Sequence, residues 1–285
     1  MDAALSTWWL ALCAAAVLNV LLLIWSARRL ARRGAQVPDL LTSRGLQLWL
    51  SAGYVLGCGF RSIFPMVDVP RICLHDTWIS RIAVGRTVAT IAELCFAMQW
   101  SLLLREAGAG RGMAAFAGRL IFPVIVVAEI FSWSAVVTSN YLLHAIENSL
   151  WTLAAMLGLA GFLSLRPRAE AGTARFLEAA CALAGGYVVY MVMVDVPMYI
   201  TRWRTEAAGD GSLPLAQGLR TLVERCIVEP RWDAWHNDVS WLTLYISRSR
   251  FGSALRSSMR RGSEVRSECP TSGNRENSTN NWDTS

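Results

Sequence analysis

Apolar residues gather into runs long enough to cross a bilayer at 7–26, 46–67, 83–104, 114–137, 143–165 and 176–199. A hydrocarbon core about 30 Å thick takes about 20 apolar residues of helix. Lipid offers the backbone no hydrogen bonds, so each run is predicted to be helical. The pattern predicts an all-α, polytopic integral membrane bundle of six transmembrane helices. Beyond them, "DVSWLTLYIS" at 238–247 is apolar but too short to span. It reads as an interfacial helix, or as the start of an incomplete seventh span near 238–251. The chain thus divides into a helix bundle over 1–200, an extramembrane or interfacial segment over 201–247, and a tail over 248–285. The tail is rich in Arg, Ser, Asn and Gly, a composition that predicts disorder.

Arginine placement orients the bundle. Arg28, Arg29, Arg32, Arg33, Arg44, Arg105, Arg111, Arg166, Arg168 and Arg175 all fall on one side, while the short loops of the other side hold Arg71 and Arg81. The positive-inside rule puts the first group inside and the N-terminus outside. The first run has an acidic flank, "MDAALS", and arginines behind it, so it reads as a retained anchor rather than a cleaved signal peptide. Trp8, Trp9, Trp25, Trp49, Trp78, Trp100 and Trp133 lie near predicted span ends, as an aromatic belt requires.

Composition agrees. The 285 residues are 54% hydrophobic and 17% charged, with mean hydropathy +0.35. The net charge of +6 follows from loop arginines, and no basic-aromatic patch of the nucleic-acid-binding kind is present. The lipid bilayer is therefore the expected partner, in the inner membrane if the cell is bacterial. All 27 basic residues are arginine, which excludes a lysine Schiff base and a P-loop. No nucleophile elbow, Ser-His-Asp signature or CxxC appears.

Charges inside a span cost about 2.5–3.5 kcal/mol each on insertion scales, so their depth is informative. Following the chain's direction through each span places Arg61, Asp68, Arg86, Glu93, Glu129, Ser132, His144, Glu147, Asn148 and Asp195 at or above mid-depth on the outer side. Arg119 and Glu178 lie near inner span ends. Arg86, Thr90 and Glu93 share one helix face by spacing, as do His144, Glu147, Asn148 and Trp151. Lipid rejects such faces, so they are expected to point inward around an outward-facing polar cavity, with Arg61 and Arg86 neutralising two of the acids.

The pentapeptide "MVDVP" ends an apolar run twice, at Met66–Pro70 and Met193–Pro197. Each copy is expected to mark a helix end, with Pro freeing the carbonyl of Met66 or Met193 beside an aspartate. Broken ends of this kind bind cations in some transporters. His75, His144 and His236 all fall outside by the topology and are weak zinc candidates, because their spacing matches no metal motif. Cys73 and Cys226 are also both outside, where an oxidising compartment permits a disulfide.

Three functions fit these residues. The first is transport or binding of a small, anionic solute held by Arg61 and Arg86 and coupled to a proton or cation. The second is a membrane enzyme acting on a lipid-linked substrate from the outer face, with Glu93 or Glu129 as general base and His144 as acid. The third is a non-catalytic assembly or sensory partner. No cofactor is identified by the sequence.

Overall fold

A computed structural model describes residues 1–34, 39–206, 212–224, 226–236, 238–239 and 242–243. Most of the stretch read as a seventh span, and all of the 248–285 tail, lie outside the described residues. Helices follow one another as α1 (Ala3–Gly34), α2 (Asp39–Ile63), α3 (Ile82–Ala107), α4 (Gly112–Thr138), α5 (Tyr141–Leu165) and α6 (Ala171–Tyr190). A π-helical turn, Met191–Asp195, then leads directly into α7 (Val196–Glu206). Each helix packs on the next in chain order, and α5 also packs on α7.

Among the described residues, five helical segments are long and apolar enough to cross a membrane: Ala3–Arg32, Ile82–Ala107, Gly112–Thr138, Tyr141–Leu165 and the composite Ala171–Thr205. The protein is an integral membrane helix bundle. α2 has 25 residues, about 38 Å of helix, and packs between α1 and α3. Large apolar side chains such as Leu10, Leu21, Trp49, Leu56, Ile91 and Ile130 lie exposed on the outside of the bundle, where a bilayer covers them.

Between helices the packing relies on small residues, as it must where lipid removes most of the hydrophobic drive for association. Gly118 of α4 is one such place: a Cβ built there would lie 2.7 Å from the Ser101 carbonyl oxygen of α3. The Ser101 hydroxyl donates to the Gly118 carbonyl across the same contact. The α4–α5 turn is equally tight. Ser139 takes a left-handed conformation (φ 54°), and the Asn140 side chain caps α5 by accepting from the Leu142 N–H at 2.9 Å.

One end of the bundle carries a lid of short elements. Strand β1 (Met66–Val67) pairs antiparallel with β2 (Ile72–Cys73), and β2 pairs parallel with β3 (Ile227–Val228). Helices α8 (Leu215–Val223) and α9 (Trp232–Trp235) flank β3. A disulfide joins Cys73 to Cys226, with Cα atoms 5.8 Å apart. The Asp2 carboxylate accepts from the Trp232 N–H at 2.9 Å, and the Leu213 N–H donates to the Thr138 carbonyl at 2.8 Å. Arg71 donates to the Val136 carbonyl at 2.9 Å and to Thr221. Outside the spans, Glu229 accepts two hydrogen bonds from the Arg231 guanidinium, which holds its carboxyl below the usual range. The chain's start, the α2–α3 loop, the α4–α5 turn and the segment after α7 therefore share one end.

The all-α bundle is as expected, and the lid adds a small sheet of three two-residue strands. Two expectations need correction. α2 ends at Ile63 rather than 67, since Pro65 cannot continue a helix. The first MVDVP therefore lies in β1 and the turn after it, and Asp68 belongs to a loop, not a span. The second MVDVP is not a helix end either. The helix runs through it to Glu206, past the expected boundary at 200. The Val196 N–H reaches back to the Met191 carbonyl, so the widened π turn sits just ahead of Pro197, whose ring would otherwise crowd the preceding turn.

The disulfide closes a separation of 153 residues, which in the chain-entropy picture is worth about 2–5 kcal/mol. Replacing both Cys73 and Cys226 by Ser is expected to lower the unfolding midpoint of the detergent-solubilised protein by several degrees. Peptide mapping without reductant should recover Cys73 and Cys226 in one cross-linked species.

Candidate functional site

Beneath the lid, Arg86 lies one turn into α3 and is 5% exposed. One of its Nη atoms contacts Glu129 of α4 at 2.7 Å and Glu93 of its own helix at 2.9 Å, with Glu147 of α5 at 3.7 Å. The other Nη lies 3.7 Å from Asp68 in the β1–β2 turn. Arg61, the last arginine of α2, lies 3.9 Å from Asp68 and donates to the Met66 carbonyl at 2.8 Å. That carbonyl is the one the first MVDVP was expected to free for a cation; an arginine of this chain takes it.

Hydrogen bonds fix the carboxylates further. The Thr90 hydroxyl donates to Glu129 at 2.6 Å, and the Trp133 indole N–H donates to Thr90 at 3.0 Å. His144 Nδ1 and Glu147 Oε2 are 2.8 Å apart. Some atoms remain unmatched: Asp68 Oδ1, Glu129 Oε1 and Ser132 Oγ are buried without a hydrogen bond. Ser132, fully buried one turn beyond Glu129, belongs to this dry side.

A cavity of about 100 Å³ opens beside the cluster, room for several waters or a small organic head group. Asp68, Arg86, Glu93, His144, Glu147, Asn148 and Asp195 line it. Trp151, Tyr187, Tyr190, Met191 and Tyr199 also belong to its walls. Glu129, Arg61 and Ser132 are not wall residues. The Tyr190 hydroxyl lies 3.5 Å from Asp195 Oδ1. At the same end of the bundle, the Arg202 guanidinium lies over the Tyr141 and Tyr199 rings at 5.8 and 5.9 Å and contacts Asp238 at 3.4 Å.

The π turn accounts for this aromatic wall. Tyr187, Met191, Asp195 and Tyr199 recur every four residues. In a regular α-helix the first and last of these would diverge by about 120° at 3.6 residues per turn. Absorbing one extra residue in a π turn cuts the drift to about 20°, so all four face the cavity. π turns recur at functional sites for this reason.

Of the residues chosen from sequence, Asp68, Arg86, Glu93, His144, Glu147, Asn148 and Asp195 meet at this cavity. The histidines do not converge. His75 packs against Trp9 and Phe64, and His236 is exposed with Nδ1 2.6 Å from the Asp233 carbonyl. Among the described residues no group of three or more His, Cys, Asp or Glu side chains is arranged to hold a metal ion. The tyrosines and the Thr90–Trp133 bridge were missed. The four-residue recurrence from Tyr187 to Tyr199 was the available signal. Comparison with protein-family models, curated proteins and solved structures finds no match.

Charge decides what the arrangement can take. Asp68, Glu93, Glu129, Glu147 and Asp195 are five buried carboxylates against the two guanidinium groups of Arg61 and Arg86. Carboxyl groups therefore outnumber guanidinium groups five to two in this cluster. Both guanidinium groups already contact carboxylates.

Removing one member of a buried charge network is strongly destabilising, about 3–5 kcal/mol. Arg86→Gln is expected to cost that much, read as a lower unfolding midpoint in detergent. Adding Glu129→Gln to Arg86→Gln should recover part of the loss, because it removes a carboxylate left unpaired. A double variant no more stable than the single would show that Glu129 and Arg86 are not coupled.

Proposed function

We propose that this membrane protein binds a small cation of the organic ammonium type in the acid-rich cavity at the lid end of its bundle. The surplus of buried carboxylate charge carries the reading. A membrane-embedded cavity with excess negative charge is neutralised by taking up a proton or a cation. Four aromatic rings in its walls supply the π faces that quaternary and protonated amines favour. Asp68, which lines the cavity, adds a buried carboxylate whose Oδ1 accepts no hydrogen bond. The anionic solute suggested by Arg61 and Arg86 is not retained, since their charges are already matched. A purely structural network is disfavoured by the cavity itself.

The lid end is proposed to face the outside. The arginine bias supports this, and so does the Cys73–Cys226 disulfide, which needs an oxidising compartment. A second reading rests on one contact. His144 held by Glu147 at 2.8 Å beside the cavity has the geometry of an oriented general base, which suits an enzyme acting on the bound amine or a group next to it.

Two measurements test the main reading. Tetramethylammonium should raise the unfolding midpoint with the logarithm of its concentration above its Kd, while an anion of similar size, such as perchlorate, at equal ionic strength should not. Asp195→Asn should weaken the ammonium effect by about tenfold, the loss of one close charge. An equal response to the anion would sink the proposal. For orientation, Asn148→Cys in a background lacking Cys13, Cys58, Cys95 and Cys181 should react with a membrane-impermeant thiol reagent added outside intact cells. Ser132→Cys, on the dry side of the cluster, should stay protected. The opposite pattern would put the cavity elsewhere.

A further inference from the structure

A second cavity, of about 140 Å³, lies among α3, α4, α5 and α6 and is lined almost wholly by apolar atoms. Trp151 and Tyr187 belong to the walls of both cavities. The polar chamber and the apolar one therefore adjoin across one pair of rings, with all the charge on one side. On the rim of the apolar cavity Leu183 is 46% exposed, on the bundle surface that lipid covers. Small residues such as Ala154, Ala155 and Gly158 share its walls with aromatic and branched ones. A Cβ placed on Gly158 would meet nothing closer than 3.9 Å.

Resting on the cation reading above, we infer that the ligand is a cationic amphiphile, a hydrocarbon chain bearing an ammonium head. The head occupies the chamber between Asp68, Glu147, Asp195 and the tyrosines. The tail passes Trp151 and Tyr187 into the apolar cavity. Continuity with the charged chamber selects the occupant: a chain in the apolar cavity with its head at Trp151 places that head in a chamber whose carboxylates outnumber its guanidinium groups. The head must then be positive. Anionic and neutral lipids would leave the negative surplus in place. The exposed rim gives such a ligand a lateral route from the bilayer, so no water-filled path through the apolar half is required.

The test is a chain-length series on the full-length protein in dodecyl maltoside: tetramethylammonium, then butyl-, hexyl- and octyltrimethylammonium, with affinity read by calorimetry. Each methylene removed from water is expected to tighten binding about three- to fourfold until the cavity is full. Gly158→Leu and, independently, Ala155→Leu place bulk in the apolar cavity, and each should collapse the octyl-to-tetramethyl affinity ratio toward one. A ratio equally large in wild type and in both variants would mean that the tail lies in the micelle; the amphiphile is then refuted while the cation site stands. A wild type that binds none of the four probes would overturn the cation site and the amphiphile together.

Discussion

A guanidinium buried within a membrane bundle is the constraint on which the upper half of this protein depends. Arg86 cannot be left unpaired there, and its partners come from four separate places in the chain: its own helix, α4, α5 and the β1–β2 turn. Between transmembrane helices the hydrophobic effect supplies little, because lipid is as apolar as the side chains it would exclude. Polar ties and close packing of small residues therefore set which helix meets which. The Arg86 network ties α3, α4 and α5 at one depth, and the Gly118–Ser101 contact fixes α3 against α4 below it. Arg61 extends the network to α2 through Asp68.

Asp68 links this network to the lid. It sits between the strand bearing Met66, whose carbonyl is bound to Arg61, and the strand bearing Cys73, which is cross-linked to Cys226. Arg71 fastens the same loop to the end of α4 through the Val136 carbonyl. The loop that delivers a carboxylate into the charge cluster is thus clamped on both sides. A mobile loop could not hold a charge at that depth without water, and the disulfide, the sheet and Arg71 together remove that freedom.

Helical spacing made much of this legible before any coordinates. Arg86, Thr90 and Glu93 fall on one face of α3, and His144 and Glu147 on one face of α5, because a charged stripe in an apolar helix has only the interior to face. Chain parity correctly grouped the residues of the second loop with Cys226, and the structure joins Cys73 to it. The MVDVP repeat misled because its proline was read against a helix in both copies. In one copy Pro65 had already ended the helix; in the other a π turn let it continue. Local spacing cannot foresee a π turn. The same blindness hid the wall of Tyr187, Tyr190 and Tyr199, which a strict 3.6-residue period scatters around the helix. What the sequence could not reveal was whether the two arginines were open or already matched, since pairing depends on distances between helices.

That pairing supports the cation reading of the site. Were Arg61 and Arg86 to point into the cavity alone, an anion would fit between them. Instead each is flanked by carboxylates, and more carboxylates line the cavity than the guanidinium groups can offset. Within the network the Arg86 guanidinium stands among Glu93, Glu129 and Glu147 as a tethered cation. The cavity beside it is lined by Asn148, Asp195 and the tyrosines. The tyrosine rings are weakly hydrated, suited to a cation that does not demand a full oxygen shell. A quaternary or alkylated ammonium meets that condition, whereas a small hard ion such as Mg²⁺, which dehydrates reluctantly and needs near-octahedral oxygen ligation, does not.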